Sequence, residues 1–287
     1  MRDHVLICGP VSWNTLVYLD RLPEPRPHMQ FALDDYETVG GTSAGKALHL
    51  AGLGRSVVCH TVLGDDPVSA RLRSALEDAG IEVSAAVIAG ASERHLNLLT
   101  RAGERVSLYL SVPAFVAPDV AQFERLCRGA TALVMDLSET SRALLPAAVA
   151  TRLPVWTDVH DYDGNSEFHE PFIRAADYIF MNADGMTEPL EFMRARVAAG
   201  ARAVVCTLGA DGAMAVDADG VHRVNAVATP VTDTNGAGDA FLAGYLNATL
   251  TGAPTDAALA AAAAQATVAL GTKHLHPSLD ALVPSAS

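Results

Sequence analysis

No stretch of this chain is apolar for the roughly 18 residues that a membrane-crossing helix needs, even though 50% of its 287 residues are hydrophobic. A membrane partner is therefore not expected. Met1-Arg2-Asp3-His4 leads straight into Val5-Leu6-Ile7-Cys8, a run too short and too soon interrupted for a secretory signal, so a soluble cytoplasmic protein is expected. Cysteine is scarce. Cys8, Cys59, Cys127 and Cys206 are widely separated, without paired metal-ligand spacing or the density of a disulfide scaffold. They read as buried thiols, with Cys8, Cys59 and Cys206 in predicted strands. Positive charge is short as well: 20 Lys and Arg against 33 Asp and Glu give a formal charge of −13. That balance argues against a nucleic-acid partner, which needs a basic footprint, but leaves room for ATP in a local pocket. The absence of HExxH and GxSxG removes the most readable hydrolases.

What is present is an alternation of strands and helices. Short β-branched runs recur at Val5–Cys8, Val57–Leu63, Ala132–Met135, Pro154–Asp158, Tyr178–Met181 and Ala203–Thr207, with amphipathic stretches between most of them. This pattern predicts an α/β fold with a parallel sheet covered on both faces. Asp66-Pro67 predicts a helix start and Gly80 its stop; Gly52 and Gly54 end a helix that begins near Thr42. Asp219-Gly220 predicts a hairpin within Ala213–Val224. Two segments break the alternation, Asn14–Val39 and Ser92–Val112, and are read as a small β lid over the sheet's carboxyl edge, where open α/β folds bind ligands. Residues 1–287 are otherwise taken as one domain, with an alanine-rich helix over Asp256–Ala269 and a loose ending after Pro277.

The most informative segment is Asp233-Thr234-Asn235-Gly236-Ala237-Gly238-Asp239. Gly236, Ala237 and Gly238 leave backbone N–H groups and a positive helix end open to anionic charge, and Asp239 just inside the helix can accept a hydroxyl proton. The competing reading is a crowded loop-to-helix junction with a helix-favouring carboxylate. Gly40-Gly41-Thr42-Ser43-Ala44-Gly45-Lys46-Ala47 nearly satisfies GxxxxGK[ST], but Ala47 has no hydroxyl for magnesium and Asp34–Val39 does not read as a buried strand. It is better taken as a diglycine at a helix start. Thr207-Leu208-Gly209 is a strand exit that a nucleotide could pass closely or an ordinary turn, and Asp158-Val159-His160-Asp161-Tyr162-Asp163-Gly164 a substrate-facing loop rather than a metal site.

Together with Gly9, Gly64-Asp65-Asp66 and Asn182, these motifs resemble the ribokinase-like, PfkB-type carbohydrate kinase family over nearly the whole chain. The resemblance implies a three-layer α/β sandwich with a mostly parallel sheet and a small lid. It also implies magnesium-assisted, ATP-dependent phosphorylation of a hydroxyl on a sugar or sugar acid, with a nucleoside kinase or a non-catalytic sugar-binding sensor as alternatives. It makes Asp239 the catalytic base and Gly236, Ala237 and Gly238 the anion hole. Substrate contacts fall at Asn14, Gly40, Gly41 and Gly45, nucleotide contacts at Asn182, Thr207 and Gly209, and a monovalent cation such as K+ at Asp233 and Asn235. A homodimer through the lid is a further implication. The chain departs from the family at Asn14, where an aspartate is common, at Gly45, where an asparagine is common, and at Gly185, where the Asn-x-x-Glu glutamate is missing.

Overall fold

Val5 and Ile7 of the first strand enter one hydrophobic core, while Leu6 and Cys8 enter another. A strand buried on both faces must lie between two helical layers, and the computed structural model, which describes residues 3–160 and 162–282, has that form. The first third of the chain supplies β1 (His4–Cys8), β2 (Ser12–Leu19), β3 (Asp34–Gly40), α1 (Thr42–Gly52), β4 (Val57–Gly64), α2 (Pro67–Asp78) and β5 (Glu82–Ile88). Next come β6 (Arg94–Thr100), β7 (Arg105–Ser111), α3 (Val120–Cys127), β8 (Ala130–Met135), α4 (Glu139–Ala150), β9 (Val155–Asp158) and α5 (Glu170–Ala175). The remainder is β10 (Tyr178–Asn182), α6 (Pro189–Ala198), β11 (Ala203–Thr207), β12 (Ala213–Asp217), β13 (Gly220–Val224), α7 (Ala237–Leu250) and α8 (Thr255–Leu270).

Nine of the described strands form one sheet in the order β13-β12-β11-β10-β9-β8-β1-β4-β5. Pairing is parallel from β11 to β5, and only the β11–β12 and β12–β13 pairs are antiparallel. Residues of α1, α2, α7 and α8 build the core on one face, and residues of α3 to α6 build the other. The expected three-layer sandwich is present. Beside it stands a four-stranded sheet, β3-β2-β6-β7.

Local signals explain several boundaries. Asp66 caps α2 by accepting from the Ser69 amide at 3.0 Å, and Pro67 opens the helix with its missing N–H at no cost. Gly41, at φ +90°, turns the chain from β3 into α1, and a Cβ there would meet the Pro10 carbonyl at 2.6 Å.

Asp34–Gly40 is a strand of the small sheet, within the segment read as extended outside the main one. Two expectations need correction. Glu82–Ile88, not foreseen as a strand, pairs in parallel with β4 at the sheet edge, where most of its residues stay partly exposed and the apolar signal is diluted. The chain after Pro277 is not loose at once: Pro277–Leu282 is a short 3-10 helix pinned by the buried Leu279. Residues 283–287 lie outside the described residues.

Candidate active site

Strand order reverses direction at β1: the chain runs outward through β4 and β5 on one side and from β8 through β11 on the other. Open α/β sheets place ligands in the crevice beyond the strands' carboxyl ends at such a point. Gly9 follows β1 there, and Asp136 follows β8, its N–H donating to the Cys8 carbonyl at 2.9 Å. Asp158, Asn182 and Thr207 end β9, β10 and β11 along the same edge.

Helix α7 begins over this edge. Gly236 takes a left-handed φ of +79°, and no side chain caps the helix. Among the described residues, the N–H groups of Gly236, Gly238 and Asp239 donate to no backbone carbonyl. Uncapped amides with the positive helix end form a fitting cradle for an anion. A Cβ on Gly238 would meet nothing within 4 Å, so the space before it is open. Ala237 and Gly238 line an apolar cavity of about 600 Å³ together with Thr207, Gly209, Gly212, Phe241 and Ala263. A second cleft, about 910 Å³, separates the tip of the small sheet from residues 231–234 and carries Arg101, Arg105 and Lys273.

Asp239, in the first turn of α7, is 8% exposed and belongs to a buried charge cluster. The Lys46 ammonium, fully buried, stands 3.0 Å from Asp136 Oδ1, 3.0 Å from Asp239 Oδ1 and 3.4 Å from Asp158 Oδ2. These are close ion pairs, and the ammonium also hydrogen-bonds the Asp239 carboxylate. Burial works against the lysine's charge, yet the three carboxylates more than offset it and hold its pKa above the ordinary lysine range. His160 Nδ1 lies 3.3 Å from Asp158 Oδ1. That carboxylate raises the His160 pKa to about 9 despite burial. Burial pushes Asp158 up, but His160 and Lys46 outweigh it and leave its carboxyl well below the usual range. For Asp239 the balance tips the other way. Burial raises its pKa to about 6, Lys46 opposes the rise and Asp158 adds to it.

The other predicted residues are placed as follows. Gly45 lies directly against Asp239: a Cβ there would stand 2.4 Å from Oδ2. Gly40 abuts Asn14, whose Nδ2 would be 2.0 Å from an added Cβ, while Asn14 Oδ1 accepts from Ser12 Oγ at 2.7 Å. Asn14 is thus buried in β2. Asn182 Oδ1 accepts from the Asp184 amide at 3.0 Å. Thr207 and Gly209 border the apolar cavity, whereas Asn182 is absent from its lining. Asp233 is buried, accepts from the Asn235 amide at 2.8 Å and from the Tyr18 hydroxyl at 2.5 Å, and makes no ion pair among the described residues. Within the loop that starts at Asp158, Asp163 holds a turn by accepting from the Asn165 amide at 2.9 Å, and Asp161 lies outside the described residues. Sequence reasoning missed Lys46 and Asp136. Lys46 had registered only inside a failed phosphate-loop pattern, and Asp136 carried no local motif; its one signal was a carboxylate immediately after a buried strand.

Comparison with known proteins places the chain in a family. The pfkB family carbohydrate kinase profile matches residues 34–282. The chain is 31% identical to an acarbose 7(IV)-phosphotransferase of Actinoplanes sp. over 90% of each sequence, and 28% identical to an ATP-dependent ribose-1-phosphate kinase of Halopiger xanaduensis over 89% of this chain and 88% of that one. A solved microbiome-derived acarbose kinase superposes with a TM-score of 0.88 at 29% identity, covering 97% of this chain and 96% of its own. A ribokinase from Thermotoga maritima, at 16% identity and a TM-score of 0.79, shares the fold over 96% of this chain and 95% of its own. The chain belongs to the pfkB family of carbohydrate kinases, ATP-dependent phosphotransferases.

Proposed function

We propose that this kinase moves the γ-phosphoryl group of ATP to a hydroxyl of a small sugar, with Asp239 as general base and the free amides of Gly236 and Gly238 at the head of the anion hole, the Ala237 N–H between them donating weakly to the Thr234 carbonyl at 3.4 Å. The observation that carries the reading is a buried carboxylate with a pKa of about 6, set one turn into an uncapped helix that opens on a cavity. A base with that pKa is ionised at neutral pH and still basic enough to assist proton removal. The apolar cavity bordered by Thr207, Gly209, Phe241 and Ala263 suits a nucleobase. Arg101 and Arg105 in the neighbouring cleft suit a triphosphate, and Lys273 beside them is paired with Asp34 at 2.8 Å.

Magnesium would screen the phosphate charge and polarise the transferred group. Asn182, fixed by the Asp184 amide at the end of β10, is the residue best placed to meet its water shell, since Gly185 offers no carboxylate. A K+ ion is consistent with Asp233, a buried carboxylate without an ion-pair partner among the described residues, and Asn235 turns its backbone to the same group.

On the acceptor side, three carboxylates share the Lys46 ammonium. A neutral sugar is therefore favoured over a sugar acid, whose charge would find that lysine already engaged. Gly40, Gly41, Gly45 and Asn14 bound this side, and the small sheet built from residues 12–19, 34–40, 94–100 and 105–111 is the cover. The names of the relatives, acarbose phosphotransferase and ribose-1-phosphate kinase, agree with a carbohydrate acceptor rather than a nucleoside.

The test is ADP release from ATP and magnesium against a panel of sugars, glycosides, sugar acids and nucleosides, with Asp239→Asn alongside. Turnover should fall by about 10²–10⁴-fold in that variant while ATP binding, read by calorimetry, persists. An Asp239→Asn protein as active as the wild type would remove the base assignment.

A further inference from the structure

A buried lysine is costly unless its charge is answered, and Lys46 is answered by three carboxylates from three different strand or helix ends. Two of them are themselves fixed. Asp136 Oδ2 accepts from Ser43 Oγ at 2.7 Å, which leaves Oδ1 for the ammonium. Asp158 Oδ1 accepts from the His160 amide at 3.0 Å and faces its imidazole, which leaves Oδ2 for the ammonium. The third, Asp239, gives Oδ1 to the ammonium. Its Oδ2 lies over Gly45, with no hydrogen-bond donor to it among the described residues.

Resting on the kinase reading above, we propose that Lys46 is a positioning residue: anchored by Asp136 and Asp158, its ammonium holds Asp239 by Oδ1 and turns Oδ2, in the space left by Gly45, toward the acceptor hydroxyl. In the transfer, the acceptor O–H bond breaks as its oxygen bonds to the γ-phosphorus, the bond from that phosphorus to ADP breaks, and the proton goes to Asp239 Oδ2. Asp239 then loses its negative charge. Lys46 is not stranded at that moment, because Asp136 and Asp158 remain as counterions. A single Lys–Asp pair would lack this property, since protonating its carboxylate would leave an unpaired buried ammonium. The arrangement also keeps Asp239 ionised among like charges, for without Lys46 the carboxylates of Asp136, Asp158 and Asp239 would face only the imidazole of His160.

The experiment is the pH profile of kcat, with separate KM values for ATP and acceptor, for wild type, Lys46→Met and the double variant Lys46→Met/Asp136→Asn. The double variant removes one charge of each sign and so spares the fold an unbalanced cluster. Expected is a loss of kcat on the order of 10²-fold with KM for ATP within about threefold, and an acid limb moved upward by roughly one pH unit or more. A purely structural lysine would lower the amount of folded enzyme without moving that limb. Wild-type protein gives a readout that needs no Lys46 variant to fold: the Lys46 Nζ resonance, slowed in exchange by burial, should shift in Asp239→Asn. Unchanged kcat and acid limb in a folded Lys46 variant, or a Lys46 resonance indifferent to Asp239→Asn, would overturn the role while leaving the kinase reading in place. A wild type that phosphorylates no acceptor would instead overturn the kinase reading, and the role with it.

Discussion

A Cβ added to Gly45 would stand 2.4 Å from Asp239 Oδ2 and 2.8 Å from its Cγ, closer than such atoms can pack, so the carboxylate would have to move. Two effects then compete in Gly45→Ala. Alanine favours the interior of α1 by about 1 kcal/mol, whereas displacing a catalytic group by an ångström costs on the order of 10²-fold in rate. Overpacking the buried cluster costs about 1–3 kcal/mol and outweighs the propensity gain, so the expected outcome is a lower melting temperature together with a kcat drop on the order of 10²-fold, measured by calorimetry and ADP release on one preparation. At Asp239 itself, a pKa of about 6 means the rate should fall as the pH drops below that value, because the protonated carboxyl can no longer accept the acceptor's proton. A flat pH–rate profile between about pH 5 and pH 7 would contradict it. His160 gives a sign of its own. Its pKa is raised to about 9 by Asp158, so its contribution to stability is complete below its unfolded value of about 6.5 and lost as the pH rises through the folded one. His160→Gln should therefore lower the melting temperature more at about pH 6 than at about pH 9.5. At this scale the sequence showed Asp239 and its three small neighbours because helix start, glycines and carboxylate are contiguous. Lys46 and Asp136 were opaque, and Asp158 was legible only as the start of a substrate-facing loop, because only the folded sheet brings these distant positions together.

Among the elements, α7 and α8 pack closely against each other at Gly244. Gly244 on α7 has room for no side chain: a Cβ there would be 2.7 Å from Gln265 Cβ and 2.9 Å from both the Ala261 carbonyl and Ala262 Cα. The alanine run that looks like low complexity is thus a packing surface, and its small residues let two backbones approach. Gly244→Val should destabilise by about 1–3 kcal/mol through overpacking, read as a lower denaturation midpoint with an unchanged slope. Strands with apolar runs, such as β1, β4 and β11, were legible because both faces are buried. At β5 the pattern failed for a physical reason: an edge strand exposes part of its backbone and side chains.

For the whole molecule, the small sheet presents an outward strand, β7, where Leu108 is 45% exposed, Tyr109 65% and Leu110 50%. We propose a second copy of this chain as the partner of that strand, in line with a dimer through the lid; sedimentation should show a dimer that Leu108→Glu/Leu110→Glu dissociates, and a monomeric wild type would refute it. The overall three-layer order could be anticipated from alternation alone, since parallel strands need intervening helices. The reversal at β1, which gathers Gly9, Asp136 and Asp158 into one crevice, could not, because the order of strands in a sheet leaves no mark in any single segment. One consequence of the α7–α8 contact reaches beyond packing. Ala261 and Ala262 face Gly244, while Ala263 and Ala266, on the same helix, wall the apolar cavity. On the proposed seating of the nucleotide in that cavity, enlarging Ala263 or Ala266 to suit another phosphate donor would narrow the seat, and enlarging Ala261 or Ala262 would prise the two helices apart, so donor preference and heat tolerance would drift together in this stripe under selection.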